Sequence, residues 1–285
     1  MTKPLEVIFL GVGSAIPMSG GTNASYLLRL GSETMLIDCG PAILQQLDAV
    51  GVSPREITHI FVTHRHGDHA LGYPMLMLWY QLNPSASLQT PILIASEATF
   101  VGLDELLRAA YGSLTSVAES APRIVLPTDA PSEARIHPNI MLKTWPMKHS
   151  DFAPVLGLRL EIRDWRLSDP QSPISNLQSL PRIVLAFTGD TGPCQNIAPL
   201  AQNADLLVHD TDLSATIHPQ HAEGAFGHST AQIAGRNAKA ANAKHLALVH
   251  IDNVYEGQVP VFIEEAQQEF AGRVSAPVAG AVYVF

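Results

Sequence analysis

Cysteine is nearly missing from this chain of 285 residues, which contains only Cys39 and Cys194. Two cysteines cannot build a disulfide framework, and these two are not spaced as a CxxC pair, so we expect two buried, reduced thiols. Positive charge is scarce too, with 17 Lys and Arg against 26 Asp and Glu and a formal net charge of -9. Because acidic residues outnumber basic ones, we do not expect the chain to bind long nucleic acid through the phosphates of its backbone.

Long apolar segments are lacking as well, since no run approaches the roughly 20 residues of a membrane span. The N-terminus also lacks the apolar core and the small-residue cleavage site of a signal peptide. We therefore predict a cytoplasmic protein with no membrane partner. The hydrophobic share of 46% against a charged share of 15% indicates a sizeable core, and we predict one α/β domain over residues 1–285.

Short apolar runs alternate with Gly, Asn, Ser and Pro, a pattern typical of strands and helices joined by turns. Predicted strands cover residues 7–10, 24–30, 34–37, 57–63, 92–95, 140–147, 155–162, 183–188, 206–208, 246–249 and 281–285. Predicted helices cover residues 41–50, 75–82, 97–111, 230–241 and 261–271. We expect the elements of the first half, up to the strand over 140–147, and those of the second half, from the strand over 155–162 onward, to form two sheet-and-helix layers packed face to face. Residues 164–181, rich in Pro, Ser and Asn, are predicted to form an exposed loop.

The segment FVTHRHGDHALG brings four ligand-type side chains together directly after a predicted buried strand. His64, His66, Asp68 and His69 offer imidazole nitrogens and a carboxylate, which borderline divalent metals such as zinc prefer. Four such groups cannot all be buried without a partner. In an extended segment His64 and His66 point to one side, and Gly67 permits the turn that carries the next two ligands. One loop can therefore supply ligands to two adjacent metals.

Three more ligand-type residues each close an apolar strand. They are His149 in LKTWPMKH, Asp190 in RIVLAFTGD and His250 in KHLALVH. Strand ends fix the positions of functional groups while the adjoining loops stay open to substrate. A solvated, His-rich loop is the alternative for an HxH motif alone, but ligand types at three further strand ends favour a metal site.

The motif HRHGDH, followed by a later His, Asp and His, resembles the metallo-β-lactamase superfamily, whose pattern is HxHxDH with three downstream ligands. The resemblance implies an α/β fold, an αββα sandwich of two mixed sheets flanked by helices. It further implies two divalent cations, with zinc as the first choice and Mn or Fe as alternatives. Carried over position by position, His64, His66 and His149 would hold one metal, Asp68, His69 and His250 the other, and Asp190 would bridge them. Asp38 in LIDCG matches the early aspartate that supports the metal-binding loop from behind.

The segment GHSTAQIAGRNAKAANAKHLALVH resembles the ribonuclease Z branch, in which the HST histidine donates a proton to the leaving oxygen of a phosphodiester. That role would fall on His228. Asp210 in LVHDTD lies where the branch carries an acidic residue that orients this histidine. Two cations lower the pKa of a bridging water, so the implied nucleophile is a metal-bridging hydroxide. Asp68, His228 and Asp210 are accordingly our candidate catalytic residues.

Two departures from that branch bear on the substrate. The transfer-RNA processing enzymes carry a long Gly/Pro-rich arm, whereas the span between His149 and Asp190 is short here. HDTDLS also replaces a Glu-Ala-Thr type sequence. Together with the negative net charge of the chain, the missing arm favours a small, anionic phosphodiester such as a cyclic nucleotide over transfer RNA.

Other functions remain open at this point. The same metals could hydrolyse a sulfate ester, a carboxylic ester or a lactone, and an iron-dependent redox enzyme is a third class. Di-iron reductases usually place Glu where His66 stands, which counts against that class. A homodimer is the assembly that we consider, and His218 and His221 are candidates for the pocket mouth.

Overall fold

The structure is a computed structural model that describes residues 5–84, 90–113, 115–163 and 182–285. The strands are β1 (Glu6–Gly11), β2 (Ser25–Leu30), β3 (Glu33–Ile37), β4 (His59–Phe61), β5 (Ile92–Ser96), β6 (Arg123–Leu126), β7 (Ser132–His137), β8 (Ile140–Met147), β9 (Val155–Arg163), β10 (Arg182–Phe187), β11 (Leu206–Asp210), β12 (His245–Val249), β13 (Arg273–Ser275) and β14 (Val282–Val284). The α-helices are α1 (Ile43–Ala49), α2 (Gly67–Ala70), α3 (Tyr73–Leu82), α4 (Glu97–Tyr111), α5 (Ser116–Ser120), α6 (Ile197–Ala201), α7 (Ala231–Ala240) and α8 (Val259–Glu269).

Two seven-stranded sheets form the centre of the molecule. The first has the order β14-β1-β2-β3-β4-β5-β6, and the second has the order β13-β12-β11-β10-β9-β8-β7. Each sheet is mixed, because β3 to β6 and β10 to β13 pair in parallel while the remaining neighbours pair antiparallel. Helices α1, α3 and α4 pack on the first sheet and α6, α7 and α8 on the second. The predicted αββα sandwich of two mixed sheets is confirmed.

Alternation along the strands explains how each sheet serves two cores. In β2, Tyr26 and Leu28 face the core between the sheets, whereas Leu27 faces the core under the helices. Successive side chains of a strand point to opposite faces, so a strand covered on both sides must be apolar at nearly every position. All three side chains are buried.

Most predicted strands and helices are present, and the differences have local causes. The predicted strand over 57–63 is reduced to His59–Phe61, because the chain leaves the sheet to enter the histidine loop. The half-exposed strands β6 and β7 and the short β13 were missed, since their apolar alternation is weak. The predicted loop at 164–181 lies outside the described residues.

Two expectations were wrong. The division of the sheets between the two halves of the chain fails at two predicted strands: the C-terminal strand pairs with β1 of the first sheet, where Val282 lies opposite Ile8, and β8 pairs with β9 of the second sheet. Cys39 is buried as expected, but Cys194 is partly exposed, because it lies in the loop between β10 and α6. In the described part of the chain, no helix combines the length and apolar character that a membrane span requires.

Candidate metal centre

The seven predicted ligands converge from the ends of four strands. His64 follows β4, and His66 is the residue before the short helix α2, which carries Asp68 and His69. The other three ligands follow strands of the second sheet: His149 after β8, Asp190 after β10 and His250 after β12. Each sheet thus contributes to the same centre.

The first group of side chains, which we call the histidine-rich cluster, consists of His64, His66, His149 and Asp190. Nδ1 of His66 lies 3.1 Å from Nε2 of His149. Oδ2 of Asp190 lies 3.6 Å from Nε2 of His64 and 3.9 Å from Nε2 of His149. Three imidazoles and one carboxylate oxygen therefore surround one point.

The second group, which we call the acidic cluster, consists of Asp68, His69, His250 and again Asp190. Nε2 of His69 lies 3.1 Å from Oδ2 of Asp68 and 3.2 Å from Oδ1 of Asp190. Nε2 of His250 lies 3.3 Å and 3.4 Å from the same two oxygens. Asp190 thus turns Oδ1 to the acidic cluster and Oδ2 to the histidine-rich cluster.

These donor sets fit divalent cations. Two donors that each lie about 2 Å from a tetrahedral metal are about 3.3 Å apart, and the donor separations quoted above range from 3.1 to 3.9 Å. Among the described residues, the buried Nε2 atom of His64 has no hydrogen-bond partner. An unsatisfied buried polar atom costs about 1 to 3 kcal/mol, so a cation that binds it removes a penalty.

Electrostatics distinguish the imidazoles of the two clusters. Burial lowers the pKa of His64 and His66, and neighbouring imidazoles lower it further, so both rings are neutral at pH 7. Burial also opposes protonation of His69 and His250, but several carboxylates together outweigh it and raise the pKa of both rings well above the ordinary value. Asp190 and Asp68 act on both rings, Asp38 on His69 and Asp212 on His250. The charges of these protonated rings hold the pKa of Asp190 well below its ordinary value despite burial. A cation at the acidic cluster must therefore displace protons.

Asp38 lies behind the histidine loop, as the resemblance implied. Its Oδ1 accepts a hydrogen bond from the backbone N–H of Thr63 at 2.7 Å. Its Oδ2 accepts from the Thr63 hydroxyl at 2.9 Å and lies 2.8 Å from Nδ1 of His69. Burial raises the pKa of Asp38, but these three donors favour the charged carboxylate. The φ of Asp38 is 60°, a strained value for a residue with a side chain, and such strain is concentrated at functional sites.

His228 and Asp210 form a hydrogen-bonded pair beside both clusters. Nδ1 of His228 lies 2.8 Å from Oδ2 of Asp210. The His228 ring stacks on His250 with centroids 5.1 Å apart and lies 4.7 Å from the His149 ring. Asp210 is fixed in turn, since the same Oδ2 accepts from the backbone N–H of Thr191 at 2.7 Å. The predicted neighbours are thus brought together.

Sequence reasoning missed Asp212, whose Oδ1 lies 3.4 Å from Nδ1 of His250. The only available signal was the second aspartate of HDTDLS, which we had treated as a departure from the ribonuclease Z pattern. His218 lies on the loop before His228, where its Nδ1 is 2.7 Å from the Tyr255 hydroxyl. The His221 ring lies 5.5 Å from the ring of Phe226. Whether these two loop histidines line the pocket stays a prediction.

Comparisons with known proteins agree with the fold and the site. A family model described as "Anti-Pycsar protein Apyc1" matches residues 5–225. The chain is 30% identical over 298 residues to ribonuclease Z of Methanothermobacter thermautotrophicus, covering 93% of this chain and 92% of that protein. It is 29% identical over 309 residues to ribonuclease Z of Bacillus licheniformis, covering 95% and 96%.

Solved structures give the same architecture. The metallo-β-lactamase fold protein YhfI of Bacillus subtilis superposes with a TM-score of 0.74 at 21% identity, covering 99% of each chain. The short form of human tRNase Z superposes with a TM-score of 0.70 at 22% identity, covering 98% of each chain. Fold, clusters and relatives together define a ribonuclease Z-like, metal-dependent hydrolase of the metallo-β-lactamase fold. Within that class, the chain belongs to the family described as anti-Pycsar protein Apyc1.

Proposed function

We propose that this chain is a two-metal phosphodiesterase, with zinc as its preferred cation, that cleaves small anionic phosphodiesters such as cyclic nucleotides. The observation that carries the proposal is the His228–Asp210 pair, which lies against rings of both ligand clusters. Two ligand clusters alone would suit many hydrolytic reactions. A histidine held by a carboxylate beside them adds the proton donor that an alkoxide leaving group requires.

The ligand roles in this proposal follow the two clusters. His64, His66 and His149 would hold one cation, Asp68, His69 and His250 would hold the other, and Asp190, whose two oxygens face the two clusters, would serve both. When bound, two such cations supply an activated water and positive charge for the phosphate oxygens. Asp190 would keep the two cations close together and partly neutralise their mutual repulsion.

His228 acts as the general acid. Burial lowers its pKa, but the charge of Asp210 and the hydrogen bond to it outweigh burial and raise the pKa to about 9. The imidazole is then protonated at neutral pH. Asp210 occupies Nδ1, which leaves the Nε2 proton for the leaving oxygen. Asp210 acts as the orienting group, because its own position is fixed by the N–H groups of Thr191 and Asp212.

A small substrate is favoured over RNA by charge. The formal net charge of -9 opposes a polyanion over its whole length, whereas one phosphodiester group meets only the local field of the cations. RNA is the competing substrate, because the curated relatives are named ribonuclease Z. Sulfate ester, carboxylic ester, lactone and redox chemistry on the same site are the remaining alternatives. A homodimer, a cytoplasmic location and a single domain over 1–285 stay predictions.

The test begins with metal analysis of protein purified without added metal, followed by a substrate panel. We expect two equivalents of zinc, with turnover of cyclic nucleotides well above that of an unstructured RNA, a sulfate ester and a lactone. One equivalent of metal, or faster cleavage of any other substrate class, would contradict the proposal.

His228→Ala separates the general-acid role from a structural one. Loss of general-acid help is worth about 10² to 10⁴-fold for an alkyl phosphodiester, whereas a nitrophenyl leaving group needs little protonation. We therefore expect a rate loss of this size on the alkyl phosphodiester, little loss on the nitrophenyl ester, and unchanged metal content. His137→Ala, which removes a histidine of β7 outside both clusters, is the control and should leave both rates unchanged. Equal losses on both substrates would refute the role of His228.

A further inference from the structure

Helix α8 carries a buried carboxylate for which the reaction proposed above has no use. Glu265 is 2% exposed, whereas its neighbour Glu264 is exposed to solvent. Among the ion pairs of the described residues, none involves Glu265. A buried carboxylate without a cationic partner must be stabilised by hydrogen bonds, and the partners in those bonds indicate its purpose.

Both oxygens of Glu265 are saturated by donors from two other chain segments. Oε2 accepts hydrogen bonds from the Ser214 hydroxyl at 2.7 Å and from the backbone N–H of Thr216 at 3.1 Å. Oε1 accepts from the backbone N–H groups of Ala215 and Gln232, both at 3.0 Å. Bonds of this kind to an ionised carboxylate are roughly twice as strong as neutral ones.

The two segments that Glu265 joins carry the His228–Asp210 pair. One is the loop that follows β11 and therefore Asp210, and the other is the first turn of α7, which follows His228. Leu213 connects the same segments, since its N–H donates to the Ser229 carbonyl and its carbonyl accepts from the Ala231 N–H. The general acid and its orienting carboxylate thus adjoin two backbone segments that are hydrogen-bonded to each other next to Glu265.

Close packing of α7 on α8 lets the Glu265 carboxylate reach both the loop after β11 and the first turn of α7. A Cβ atom at Gly235 of α7 would lie 2.6 Å from the carbonyl oxygen of Ala266 in α8, so only glycine permits this approach. The negative charge also lies at the N-terminus of α7, where a helix dipole favours an anion.

We propose that Glu265 is a positioning residue that sets the geometry of the His228–Asp210 pair through the loop after β11 and the start of α7. The inference rests on the proposed role of His228 for its kinetic consequences, but not for its structural ones. A displacement of about 1 Å can cost about 10²-fold in rate even when it originates away from the reacting atoms. Loss of Glu265 should therefore reproduce part of the His228→Ala phenotype.

The test is Glu265→Gln in the full, metal-loaded chain, with Glu264→Gln as a matched control. Each oxygen of Glu265 accepts a backbone N–H, so the amide nitrogen of glutamine faces a donor in either orientation. We expect about a 10-fold or larger loss on an alkyl phosphodiester, with less than about a 2-fold loss on a nitrophenyl ester. In the His228→Ala background the added loss should vanish. Glu264→Gln should match the unmodified protein throughout.

A second readout does not depend on activity. The Nδ1 proton that His228 shares with Asp210 should give a downfield proton resonance, identified by its absence in His228→Ala. This resonance should shift or broaden in Glu265→Gln and persist in Glu264→Gln, with metal content unchanged. If Glu265→Gln does not fold, Ser214→Ala removes one of the four donors and should give smaller changes of the same kind.

The outcomes separate the two proposals. An unchanged resonance, or equal rate losses on both substrates that persist without His228, would overturn the positioning role. If phosphodiesters proved not to be substrates while the resonance still depended on Glu265, the positioning role would stand and the proposed reaction would fail.

Discussion

The two ligand clusters share Asp190 but differ in what stands behind their imidazoles. In the histidine-rich cluster the rings are backed by neutral oxygens: Nδ1 of His64 lies 3.0 Å from the Thr63 hydroxyl, and Nδ1 of His149 lies 3.0 Å from the Gly227 carbonyl. Neutral acceptors fix the tautomer of an imidazole but add little negative charge.

In the acidic cluster the corresponding partners are carboxyl groups. Nδ1 of His69 lies 2.8 Å from Asp38, and Nδ1 of His250 lies 3.4 Å from Asp212. A carboxylate behind an imidazole increases its basicity and so its strength as a ligand. Two sites built from similar residues should therefore bind cations with unequal affinity, and the cause lies one layer behind the ligands.

Removal of the shared carboxylate should have the largest effect, because it damages both sites at once. We expect Asp190→Ala to lose both cations and about 10³-fold or more in activity, with more metal lost than in a variant of any single ligand histidine. Metal content per chain after gel filtration is the measurement, with the exposed Asp129→Ala as control. Two equivalents retained in Asp190→Ala would show that this residue does not bridge two cations.

Unequal affinity should appear when the metal-free chain is titrated with zinc. Carboxylates behind metal-binding histidines are worth about 10 to 100-fold in affinity, so the first equivalent should enter the acidic cluster. Asp68→Ala should abolish that tight step, while His66→Ala should abolish only the weaker one. The reverse assignment by calorimetry would remove the electrostatic basis of the comparison.

The pH dependence should sharpen the same contrast. Carboxylates hold the pKa of His69 and His250 well above the ordinary value, so these rings must lose protons before a cation binds. Affinity of the tight step should fall as pH falls below that raised pKa. Burial lowers the pKa of His64 and His66, so the weak step should keep its affinity to lower pH. Proton release measured in two buffers checks this prediction, and equal release in both steps would contradict it.

Asp38→Asn should make the two clusters more alike. The amide keeps the size of the side chain but removes the charge behind His69, so the tight step should weaken by about 10-fold or more while the weak step changes little. Glu33→Gln, an acidic residue of β3 outside both clusters, is a suitable control. A loss confined to the weak step would show that the charge behind His69 does not determine the affinity.

The ligands themselves were accessible from the sequence because four of them lie in the compact HRHGDH motif and the other three each follow an apolar strand, and both features can be recognised locally. His149, Asp190 and His250 were predicted on that ground and are brought together with the HRHGDH loop. The groups behind the ligands were harder to find. Asp212 and Glu265 act on residues far along the chain, and no local periodicity marks a contact of that kind.

The same limit applies to the fold. Each sheet contains strands that the alternation of apolar residues made visible, but the partner of a strand is a long-range property. Strand β14 pairs with β1 across almost the whole chain, and its three residues gave no sign of the sheet to which they belong. Edge strands such as β6 and β7 bury only part of each face, so the hydrophobic pattern that predicts strands is weak there.

The smallest expected effect concerns the turn that supplies the neutral backing of the histidine-rich cluster. Phe226 and Gly227 form a two-residue turn between Ala225 and His228, with φ values of 55° and 81°. Positive φ at both central positions is typical of a type I′ turn, which favours Asn-Gly. Phe226 is 79% exposed, so burial does not offset the strain of its backbone. Phe226→Asn should therefore stabilise the fold by about 1 kcal/mol and raise Tm by about 2 to 4 °C.

Because the Gly227 carbonyl keeps its place beside His149, metal affinities should not change in Phe226→Asn. Phe152→Asn is the matched control, since Phe152 is 71% exposed and its φ is not positive. It should bring no gain, because the substitution removes the ring on which the Arg65 guanidinium lies at 4.0 Å. Thermal unfolding of the metal-free chains measures both variants. A lower Tm for Phe226→Asn would mean that the contact of this ring with His221 outweighs the backbone strain.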